Sequence, residues 1–450
     1  MPAARDERPR SARCEQPGRC GCARGYTPDS RRGAGTRANR AARARARRGR
    51  RIVTEHHPVT EHHRAAEHHP TSRAAVALAV DIGGTTVKGA AVDRFGVVVQ
   101  KFTVGTFDVD GDAYAAVLAV IRMLHSGVLA DGYLPVGIGI ASPGLVDAAT
   151  GTIAFAANLG WEALPLRDRL EEEFTIPVRV DHDARAAALA ERAAHAGAAE
   201  VGAAAVGAAA ARATGAAGSV GSAEPQPADA FADFVLIPIG TGVSAAVVTS
   251  GVLVRGAAGA AGEFGHVPAV PNGDLCACGQ HGCIEAYASA TSILTRYRAA
   301  GGTAAGSTRE LAATLDTDPI ARAVWHDAVE ALAVGVVGLT AVLDPAVVVI
   351  GGGLSAAGDA VLLPLRAGVE RRLGWRAAPL IIRSALTSQG GLIGAAMLGW
   401  AGHELEPGFA VRAHGMLGSA TATAVREPSA AGPSGFTPSP PSPPVGAAHG

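Results

Sequence analysis

Apolar runs alternate with glycine-rich turns and polar segments through the middle of the chain, and the same order of elements occurs twice. The first half predicts three strands joined by tight turns, a helix from about Asp112, the buried strand "VGIGIA", a helix over 164–173, the strand "VRV" and another helix. The second half predicts the strands "FVLIPI", "VSAAVV" and "VLV", longer helices, the strand "VVVIGGG", a helix, the strand "LIIRSA" and a closing helix from Leu392. This repetition predicts two α/β domains that face each other across a cleft.

Three segments lie outside this pattern. No Ile, Leu, Val, Phe or Trp occurs in residues 1–51, so residues 1–73 are predicted to form a disordered Arg/His-rich tail. Two alternatives for this tail are a His-rich metal-binding tract, from "TEHHPVTEHHRAAEHHP", and translated upstream sequence before a true start near Val76. Residues 193–230 are predicted to be a low-complexity Ala/Gly insert that extends a helix into a loop. Residues from about 406 to 450 are predicted to be a second disordered tail, rich in Pro, Ser and Gly.

The rest of the chain forms an ordered body with predicted domain boundaries. A chain of 450 residues is too long for one ordinary core, which agrees with two domains. The N-terminal α/β domain is predicted to comprise residues 74–192, with the closing helix at about 390–405 returning to it. The C-terminal α/β domain, which carries the cysteine motif described below, is predicted to comprise residues 231–389.

The charge balance differs between the N-terminal tail and the body. Residues 1–73 contain 18 Arg and 7 Asp or Glu, whereas the rest of the chain contains 22 basic and 33 acidic residues. An acidic body argues against a broad nucleic-acid surface, so no specific nucleic-acid partner is expected. No apolar stretch is predicted to span a membrane, because Asp344 and Pro345 interrupt the longest candidate, "LAVGVVGLTAVLDPAVVVI". Without a signal-peptide pattern, the clustered cysteines are predicted to be reduced thiols of a cytoplasmic protein.

Two glycine-rich turns occupy equivalent places in the two halves. "DIGGT" begins at Asp81 and "GTG" at Gly240, each between consecutive strands. Glycine in such turns lets backbone N–H groups approach an anion closely, so each half could hold the phosphates of one nucleotide from its own side. The alternative is that both are structural hairpins, which use glycine anyway. The predicted phosphate-binding residues are Gly83, Gly84, Thr85, Gly240, Thr241 and Gly242.

Two further features fit a nucleotide with its metal ion. Asp81 ends a strand at the first turn, where a carboxylate suits a water-mediated contact to Mg²⁺ beside the phosphates. Gly352 and Gly353, between the strand "VVVI" and a helix, are predicted to receive the adenosine of ATP. By itself this second motif is also an ordinary strand-to-helix turn.

The segment "VRVDHDARAAALAE" places Asp183 at the end of a strand and the start of an alanine-rich helix. There the carboxylate could cap the helix by accepting hydrogen bonds from backbone N–H groups. It could instead act as a general base that takes a proton from an attacking hydroxyl group. Asp181, two residues earlier, is the rival for this role, and the pattern alone favours Asp183 only slightly.

Half of the six cysteines lie within eight positions of one another, in "GEFGHVPAVPNGDLCACGQHGCIE". Zinc prefers four tetrahedral N or S ligands, and His266 with Cys276, Cys278 and Cys283 supplies one His and three Cys. A closed site of this kind is structural, because no coordination position stays open for water. Reduced thiols without a metal are the alternative.

The motifs "DIGGT", "GIASPGLVD", "DHDARAAA", "GTG" and "GEFGH…CACGQHGCIE" follow one another at spacings that resemble those of the ROK family of sugar kinases and sugar-responsive regulators. The resemblance covers residues from about 75 to 402. It implies the actin-like (ribonuclease-H-like) ATPase fold, with a sugar and ATP in the interdomain cleft and Asp183 as the catalytic base. The sugar-binding residues that it implies are Gly144, Asn158, Glu263, His266 and Glu285. His266 would contact a sugar hydroxyl through the ring nitrogen that the zinc leaves free, so that the metal fixes the geometry of the pocket.

The chain departs from the family pattern at four positions. The base is usually preceded by Asn and followed two residues on by Asn, and His182 and Arg185 stand there instead. His182 can still donate one hydrogen bond and accept one in the substrate site, but it is bulkier and titrates, which leaves the identity of the sugar open. Ser244 and Ala246 replace glycines after the second turn, where side chains could narrow the phosphate channel or change its flexibility.

The residues and the resemblance together predict an ATP-dependent, glucokinase-like hexose kinase in which Asp183 deprotonates the sugar 6-hydroxyl group beside Mg²⁺–ATP. A sugar-responsive transcriptional regulator and a non-catalytic sugar-binding protein are the alternatives. The regulator is disfavoured because residues 1–73 cannot form the apolar core of a helix-turn-helix. Within the leading class an N-acylmannosamine kinase or a fructokinase also fits, and polyphosphate could replace ATP. The resemblance also implies a homo-oligomer, either a dimer or a tetramer.

Overall fold

The apolar runs of the sequence form the strands of three sheets. The computed structural model describes residues 53–56, 73–201, 231–303 and 305–418. In this part of the chain the strands are β1 (Val53–His56), β2 (Ala75–Ile82), β3 (Thr86–Asp93), β4 (Val98–Gly105), β5 (Leu134–Ser142), β6 (Leu145–Asp147), β7 (Thr152–Ala156), β8 (Trp161–Leu164), β9 (Val178–His182), β10 (Phe234–Pro238), β11 (Ala246–Thr249), β12 (Val252–Leu253), β13 (Val347–Gly351) and β14 (Leu380–Arg383).

Helices connect the strands of the two larger sheets. The α-helices are α1 (Ala113–Ala130), α2 (Leu166–Phe174), α3 (Asp183–Val201), α4 (Glu285–Ala288), α5 (Ala290–Ala299), α6 (Thr308–Ala313), α7 (Pro319–Leu343), α8 (Asp359–Glu370), α9 (Gly390–Gly399) and α10 (Phe409–Gly418). Two short 3₁₀ helices comprise Phe264–His266 and Gly353–Ala357.

The two larger sheets share one topology. The first has the strand order β1-β4-β3-β2-β5-β9 and the second has the order β12-β11-β10-β13-β14. In each sheet three consecutive strands pair antiparallel, and the first of these three also pairs parallel with a strand that follows a helix. A further parallel strand, β9 or β14, completes the arrangement. The repeated order of elements predicted from the apolar pattern is confirmed, whereas the predicted domain boundaries stay a prediction.

Local sequence explains where the long helices begin and end. The side chain of Asp112 caps α1, which starts where the sequence predicted it. At α7 the side chain of Asp318 caps the first turn, and Pro319 takes the first helical position, where its missing N–H group is not needed. The same helix ends at Asp344, which has a left-handed backbone, directly before Pro345.

The first sheet is buried on both faces. One face packs against α1 and α2 mainly through Val, Ile and Leu, whereas the other packs against α3, α9 and α10 mainly through Ala. The closest approach is that of α9, whose backbone at Ala395 and Gly399 meets Gly139 and Gly137 of β5. The predicted closing helix therefore begins at Gly390 and lies on the first sheet.

Replacing Gly139 with Ala should destabilise the fold, because an added Cβ would overlap the backbone carbonyl oxygen of Ala395. A backbone atom cannot rotate away, so β5 and α9 would have to separate. Overpacking of this kind typically costs about 1–3 kcal/mol, which urea-induced unfolding would measure. Gly338→Ala is the control: Gly338 lies in open space on α7, and Ala there should stabilise the helix by roughly 0.5–1 kcal/mol. An equal loss of stability in both variants would contradict this account of the packing.

A small antiparallel sheet, β6-β7-β8, was not predicted from the sequence. Each of its strands has three to five residues, which is too short for the alternation of apolar and polar positions to stand out. In β7, moreover, Phe155 is exposed although it is apolar. The strand β8 also takes residues before the predicted helix over 164–173, so that α2 begins at Leu166.

Two segments that were predicted to be disordered contain secondary structure instead. In α10 the buried residues Phe409, Ala410, Ala413 and Leu417 follow helical spacing and pack against the first sheet, which explains why this segment folds. The strand β1 pairs antiparallel with β4 at the edge of the sheet, where unpaired backbone groups are available. The remaining parts of the predicted tails and insert, residues 1–52, 57–72, 202–230 and 419–450, lie outside the described residues.

Two helices, α1 and α7, are long and apolar enough to cross a membrane by length and composition, contrary to the sequence prediction that no stretch qualifies. Both are partly buried among other elements, α1 against the first sheet and α7 against α8. Core helices of globular proteins pass the same test, so this finding is weak evidence for a membrane span.

Candidate active site

The carboxyl ends of parallel strands from both large sheets meet at a cavity of about 200 Å³. Ligands of open α/β sheets bind at such ends, outside the strands. The sequence-predicted residues that line this cavity are Asp81, Asp183, Gly240, Gly352 and Gly353. The cavity therefore brings together the two predicted carboxylates and glycine turns from the second half of the chain.

Sequence reasoning missed other polar residues of this cavity. Glu191 lies on α3, and Ser384, Thr387 and Ser388 lie between β14 and α9. The Ser384 hydroxyl donates a hydrogen bond to Glu191 Oε2 at 2.7 Å, and the Ala385 N–H donates one to Oε1 at 2.7 Å. Glu191 thus ties α3 to the turn after β14. The signal that could have found this turn is its "SALTSQGG" sequence, which follows a strand as the other glycine turns do.

Asp81 lies at the end of β2 with 16% of its side chain exposed. Burial raises the pKa of its carboxyl group to about 6, while Lys88 opposes this shift and the charge of Asp183 adds to it. The Lys88 Nζ atom lies 3.6 Å from Asp81 Oδ2. A dication beside Asp81 would favour the ionised carboxylate further, so this side chain fits the predicted contact to Mg²⁺.

Replacing Asp81 with Asn should stabilise the ligand-free chain at neutral pH. The folded state keeps the proton up to about pH 6, whereas the ordinary pKa is 3.8. The folded state therefore binds more protons than the unfolded state between these values, and the stability of the wild type falls as pH rises through this window. The variant lacks this loss. Its free energy of unfolding, relative to that of the wild type, should therefore be roughly 1–3 kcal/mol higher at pH 7 than at pH 4.5.

Urea unfolding of the wild type and Asp81→Asn at both pH values would measure this difference. The exposed residue Asp168 offers a matched control, because Asp168→Asn changes the same chemical group away from the cavity. If the free energies of unfolding of Asp81→Asn and the wild type differ by the same amount at both pH values, Asp81 is not the buried group that keeps its proton in the folded state.

The first glycine turn is fixed by its own backbone and by a threonine that the sequence did not single out. The Gly83 N–H donates to the Thr86 carbonyl at 2.9 Å, and the buried Thr106 hydroxyl donates to the Gly83 carbonyl at 2.7 Å. A Cβ added at Gly84 would lie 3.5 Å from Asn158 Nδ2. The predicted sugar residue Asn158 is therefore a neighbour of the first turn.

The second glycine turn is held by Glu285. The Val243 N–H donates to Glu285 Oε2 at 2.8 Å, and the Gly240 N–H donates to the Gly242 carbonyl at 2.9 Å. The Gly240 carbonyl in turn accepts a hydrogen bond from the Ala290 N–H. One carboxylate oxygen of Glu285 is thus committed to the turn.

The glycines after β13 pack onto the same turn. Gly352 has a φ of 70°, and an added Cβ would lie against the backbone of Ile239. The Leu354 N–H also donates to the Ile239 carbonyl at 3.1 Å. The predicted adenosine residues and the second turn therefore form one continuous wall of the cavity.

The two departures that follow the second turn pack behind residues that line this cavity. Ala246 is fully buried in a core with Ala184 and Phe234, and Ser244 is half-buried with its N–H directed to the Pro238 carbonyl. Neither residue lines the cavity. These side chains therefore do not narrow it directly.

The two aspartates at the end of β9 have different surroundings. Asp181 is 1% exposed, and its carboxylate accepts hydrogen bonds from Arg185 at 2.5 Å, from Arg255 at 2.9 Å and from the His182 N–H at 2.8 Å. Asp183 has 37% of its side chain exposed and lines the cavity. Only Asp183 can therefore reach a ligand there, and this geometry favours it over Asp181 as the base.

Asp183 also begins α3, and His182 lies beside its carboxylate. The Ala184 N–H donates to Asp183 Oδ1 at 2.6 Å, and His182 Nδ1 lies 3.1 Å from the same oxygen. The His182 side chain is mostly buried. The two interpretations of Asp183, as a residue that supports the start of the helix and as a base, are thus compatible, because these contacts within the described residues involve only Oδ1.

The three cysteines and His266 form one compact cluster. Their ligand atoms all lie within 4.8 Å of one another, with Cys278 Sγ 3.7 Å from Cys283 Sγ and Cys276 Sγ 3.8 Å from His266 Nδ1. Tetrahedral zinc, with bonds of about 2.0–2.3 Å, places neighbouring ligand atoms roughly 3.5–3.8 Å apart. The residues therefore fit a tetrahedral zinc ion of the closed, structural type.

The thiols also require a cation if all three are to ionise. Burial raises the pKa of Cys283 to about 12, and the hydrogen bonds that its thiol donates to Cys278 and Cys276 add to this shift. Burial also raises the pKa of Cys276. Burial opposes ionisation of Cys278 as well, but hydrogen bonds from Gln280 and from the other two cysteines lower its pKa to about 7. Zinc binds thiolates, so a bound ion would favour the ionised form of all three cysteines despite their different pKa values.

The two ring nitrogens of His266 face different partners. Nδ1 points to the cysteine cluster, whereas Nε2 lies 3.8 Å from Glu263 Oε2. Glu263 precedes the 3₁₀ helix Phe264–His266 and follows Gly262, whose φ of 106° only glycine adopts readily. This arrangement leaves Nε2 on the side of the predicted sugar-binding carboxylate.

The backbone conformation and the close packing at Gly144 require glycine at this position. It has a φ of 95° in the turn between β5 and β6, and an added Cβ would overlap the Phe155 carbonyl on β7. It does not line the cavity of 200 Å³, and neither do Asn158, Glu263, His266 or Glu285. The roles predicted for these residues in sugar binding stay predictions.

The chain belongs to the ROK family, whose sequence profile matches residues 77–220 and 216–401. The two sheets with shared topology around one cleft form the actin-like ATPase fold of that family, as the resemblance implied. The family and the fold are therefore established independently of any single motif.

Three relatives show what this chain is similar to. A glucokinase of Halalkalibacterium halodurans is 34% identical over 312 residues, which cover 65% of this chain and 84% of that protein. The crystal structure of a ROK family glucokinase from Streptomyces griseus, in complex with glucose and AMPPNP, is 29% identical with a TM-score of 0.56, and the match covers 72% of this chain and 99% of that one. A xylose repressor of Caldicellulosiruptor bescii is 28% identical over 249 residues, or 52% of this chain and 55% of the repressor.

Proposed function

We propose that this chain is an ATP-dependent sugar kinase that phosphorylates a hexose hydroxyl group, the 6-hydroxyl in a glucokinase-like reaction. The observation that carries the proposal is the accessible carboxylate of Asp183 in a cavity that is also lined by Asp81 of the first sheet and by glycine turns of the second half of the chain. Similarity to two glucokinases, one of them in complex with glucose and AMPPNP, supports the same class of reaction.

The glycine turns and the serine-rich turn after β14 supply the nucleotide site in this proposal. Backbone N–H groups of Gly84 and Thr85 and of Thr241 and Gly242 would approach the phosphates from opposite sides, since those of Gly83 and Gly240 bond within their own turns. The adenosine would lie against Gly352 and Gly353. Mg²⁺, held through water by Asp81, would supply charge neutralisation for the phosphates.

Asp183 would act as the general base. As the sugar oxygen attacks the γ-phosphorus, its proton passes to the Asp183 carboxylate, the new O–P bond forms, and the bond from phosphorus to the leaving oxygen of ADP breaks. Little covalent chemistry is required of the protein, so most of the rate would come from holding the hydroxyl group and the γ-phosphate in line. The charge network around Asp181 leaves Asp183 as the residue of this pair with an exposed oxygen.

The zinc cluster would shape the sugar side of the cleft. Cys276, Cys278, Cys283 and Nδ1 of His266 would hold the ion, which supplies a rigid anchor and no open position for water. The imidazole is then fixed with Nε2 toward Glu263, and both groups would contact sugar hydroxyls.

Two other functions have specific support. Similarity to a xylose repressor favours a sugar-responsive regulator, but the matched region covers only 55% of that protein. The substitutions His182, Ser244 and Ala246 favour a sugar-binding protein without catalysis, although the latter two side chains lie outside the cavity. N-acylmannosamine or fructose as acceptor, and polyphosphate as donor, remain alternatives within the proposed class.

The proposal is tested by release of ADP from Mg²⁺–ATP by the zinc-loaded full chain with glucose, mannose, fructose, N-acetylglucosamine and N-acetylmannosamine in turn. Turnover that depends on one of these sugars is expected, and replacing ATP with polyphosphate identifies the donor. A folded chain that turns over none of them but is stabilised by one of the sugars would overturn the kinase in favour of a binding protein. Salt-resistant binding to one DNA sequence, with no turnover, would favour the regulator.

A further inference from the structure

Arg185 is the bulkiest fully buried side chain in the described part of the chain. Its Nε atom donates to Asp181 Oδ1 at 2.5 Å, Nη1 donates to the Gly259 carbonyl at 2.8 Å, and Nη2 donates to the Val146 carbonyl at 2.9 Å. Every nitrogen of the guanidinium group therefore has a partner. A buried charge is tolerated only with such partners, so the surroundings are built around this residue.

The acceptors of Arg185 belong to both halves of the chain. Val146 lies on β6, two residues after Gly144, whereas Gly259 lies in the loop between β12 and Glu263. The two segments touch, since a Cβ added at Gly259 would lie 2.8 Å from the Val146 carbonyl oxygen. Arg185 thus holds together two loops that lead to predicted sugar-binding residues.

Asp181 links this group to a second arginine. The Nη2 atom of Arg255, which comes from the same loop as Gly259, donates to Asp181 Oδ2 at 2.9 Å. The two oxygens of Asp181 are therefore shared between an arginine of α3 and an arginine of the second half. Arg255 is 48% exposed, whereas Arg185 is enclosed.

From this geometry we infer that Arg185 is a positioning residue for sugar binding: it fixes the loop before Glu263 and the turn after Gly144 relative to Asp183, two residues away. The inference rests on the proposed sugar kinase function. Arg185 does not line the cavity and so does not contact the nucleotide side. The guanidinium fork has N–H groups in three directions, so this one side chain reaches three separate acceptors.

The test compares Arg185→Lys with the wild type in the full chain. A lysine keeps the charge but has one ammonium group, which cannot bond Asp181 and both carbonyls at once. The KM for the sugar should rise roughly tenfold to hundredfold, because misplacement of binding groups by about 1 Å has effects of this size, while the KM for ATP should change much less. Hydrogen exchange at residues 143–147 and 255–263 should become faster in the variant.

Arg192→Lys is the matched control. Arg192 also lies on α3 and donates to a backbone carbonyl of the second half, that of Gly251 at 2.6 Å, but away from the sugar loops. Its KM values and its hydrogen exchange at the two loops should match those of the wild type. If Arg185→Lys does not fold, Arg255→Gln removes one arm of the network and should raise the sugar KM selectively by a smaller factor.

Two outcomes would overturn the inference: unchanged hydrogen exchange in both loops of Arg185→Lys, or an equal rise in the KM for ATP and for the sugar. A wild type without sugar-dependent turnover would contradict the proposed function instead. In that case faster exchange confined to the two loops would still support the positioning of these loops by Arg185, so the two failures can be distinguished.

Discussion

Asp183→Asn should lower kcat by about 10²–10⁴, the range typical for loss of a general base. Asparagine keeps the size of the side chain and its oxygen can still accept the Ala184 N–H bond at the start of α3. It cannot take a proton from a sugar hydroxyl group. The expected loss is therefore one of rate rather than of folding, and the KM values for sugar and ATP should change only a few-fold.

Steady-state kinetics on the preferred sugar measure the loss of rate. Urea unfolding of the same samples shows whether folding has changed. Asp168→Asn is the matched control, because Asp168 lies in the exposed first turn of another helix, α2. That variant should keep wild-type kcat. An Asp183 variant that retains more than about a tenth of the wild-type rate would rule out a general base of ordinary strength at this position.

Cys283→Ala should prevent zinc binding and so disturb the sugar side of the cleft. The side chain is completely buried and close to both Cys278 and the backbone of His266. Loss of one of four ligands weakens a structural site whose metal binding contributes on the order of 10 kcal/mol in small zinc domains. We expect zinc content to fall from one ion per chain to well below half. The thermal midpoint should fall by roughly 5 °C or more, since each kcal/mol shifts it by about 2–4 °C in domains of about 150–250 residues.

Metal analysis and thermal unfolding measure the two quantities, and the chain contains its own control. Cys22 lies outside the described residues and is not one of the four predicted zinc ligands, so Cys22→Ala should retain one zinc ion and the wild-type midpoint. Equal zinc content in the wild type and in Cys283→Ala would contradict the metal site. Partial activity of Cys283→Ala with a raised sugar KM would agree with a zinc ion that shapes the pocket without acting in the chemistry.

The sequence was sufficient for the features that depend on local pattern. Each strand, helix and glycine turn, and the cysteine cluster, carries its signal in one short segment of the sequence, and the structure has the repeated order of elements, both turns and the cluster. It was insufficient where the signal is weak or distant. The strands of the small sheet are too short to show a period, and α10 has only four buried positions within a segment of mixed composition.

The choice between Asp181 and Asp183 shows the same limit at the site. Both are aspartates at a strand end, and their sequence context is nearly identical. Arg255, which occupies one oxygen of Asp181, lies 74 residues away along the chain. Only the tertiary contact distinguishes a buried, fully bonded carboxylate from one that faces the cavity, and the same holds for Glu191 and its partners after β14.

We propose above that this cleft transfers the γ-phosphoryl group of ATP to a sugar. The most direct test of this transfer follows label from [γ-³²P]ATP in the zinc-loaded full chain with Mg²⁺ and the sugar that supports ADP release. One labelled sugar phosphate is expected for each ADP formed, and both products should be lost in Asp183→Asn. Label found only in inorganic phosphate, or an Asp183→Asn variant that forms sugar phosphate at the wild-type rate, would contradict it.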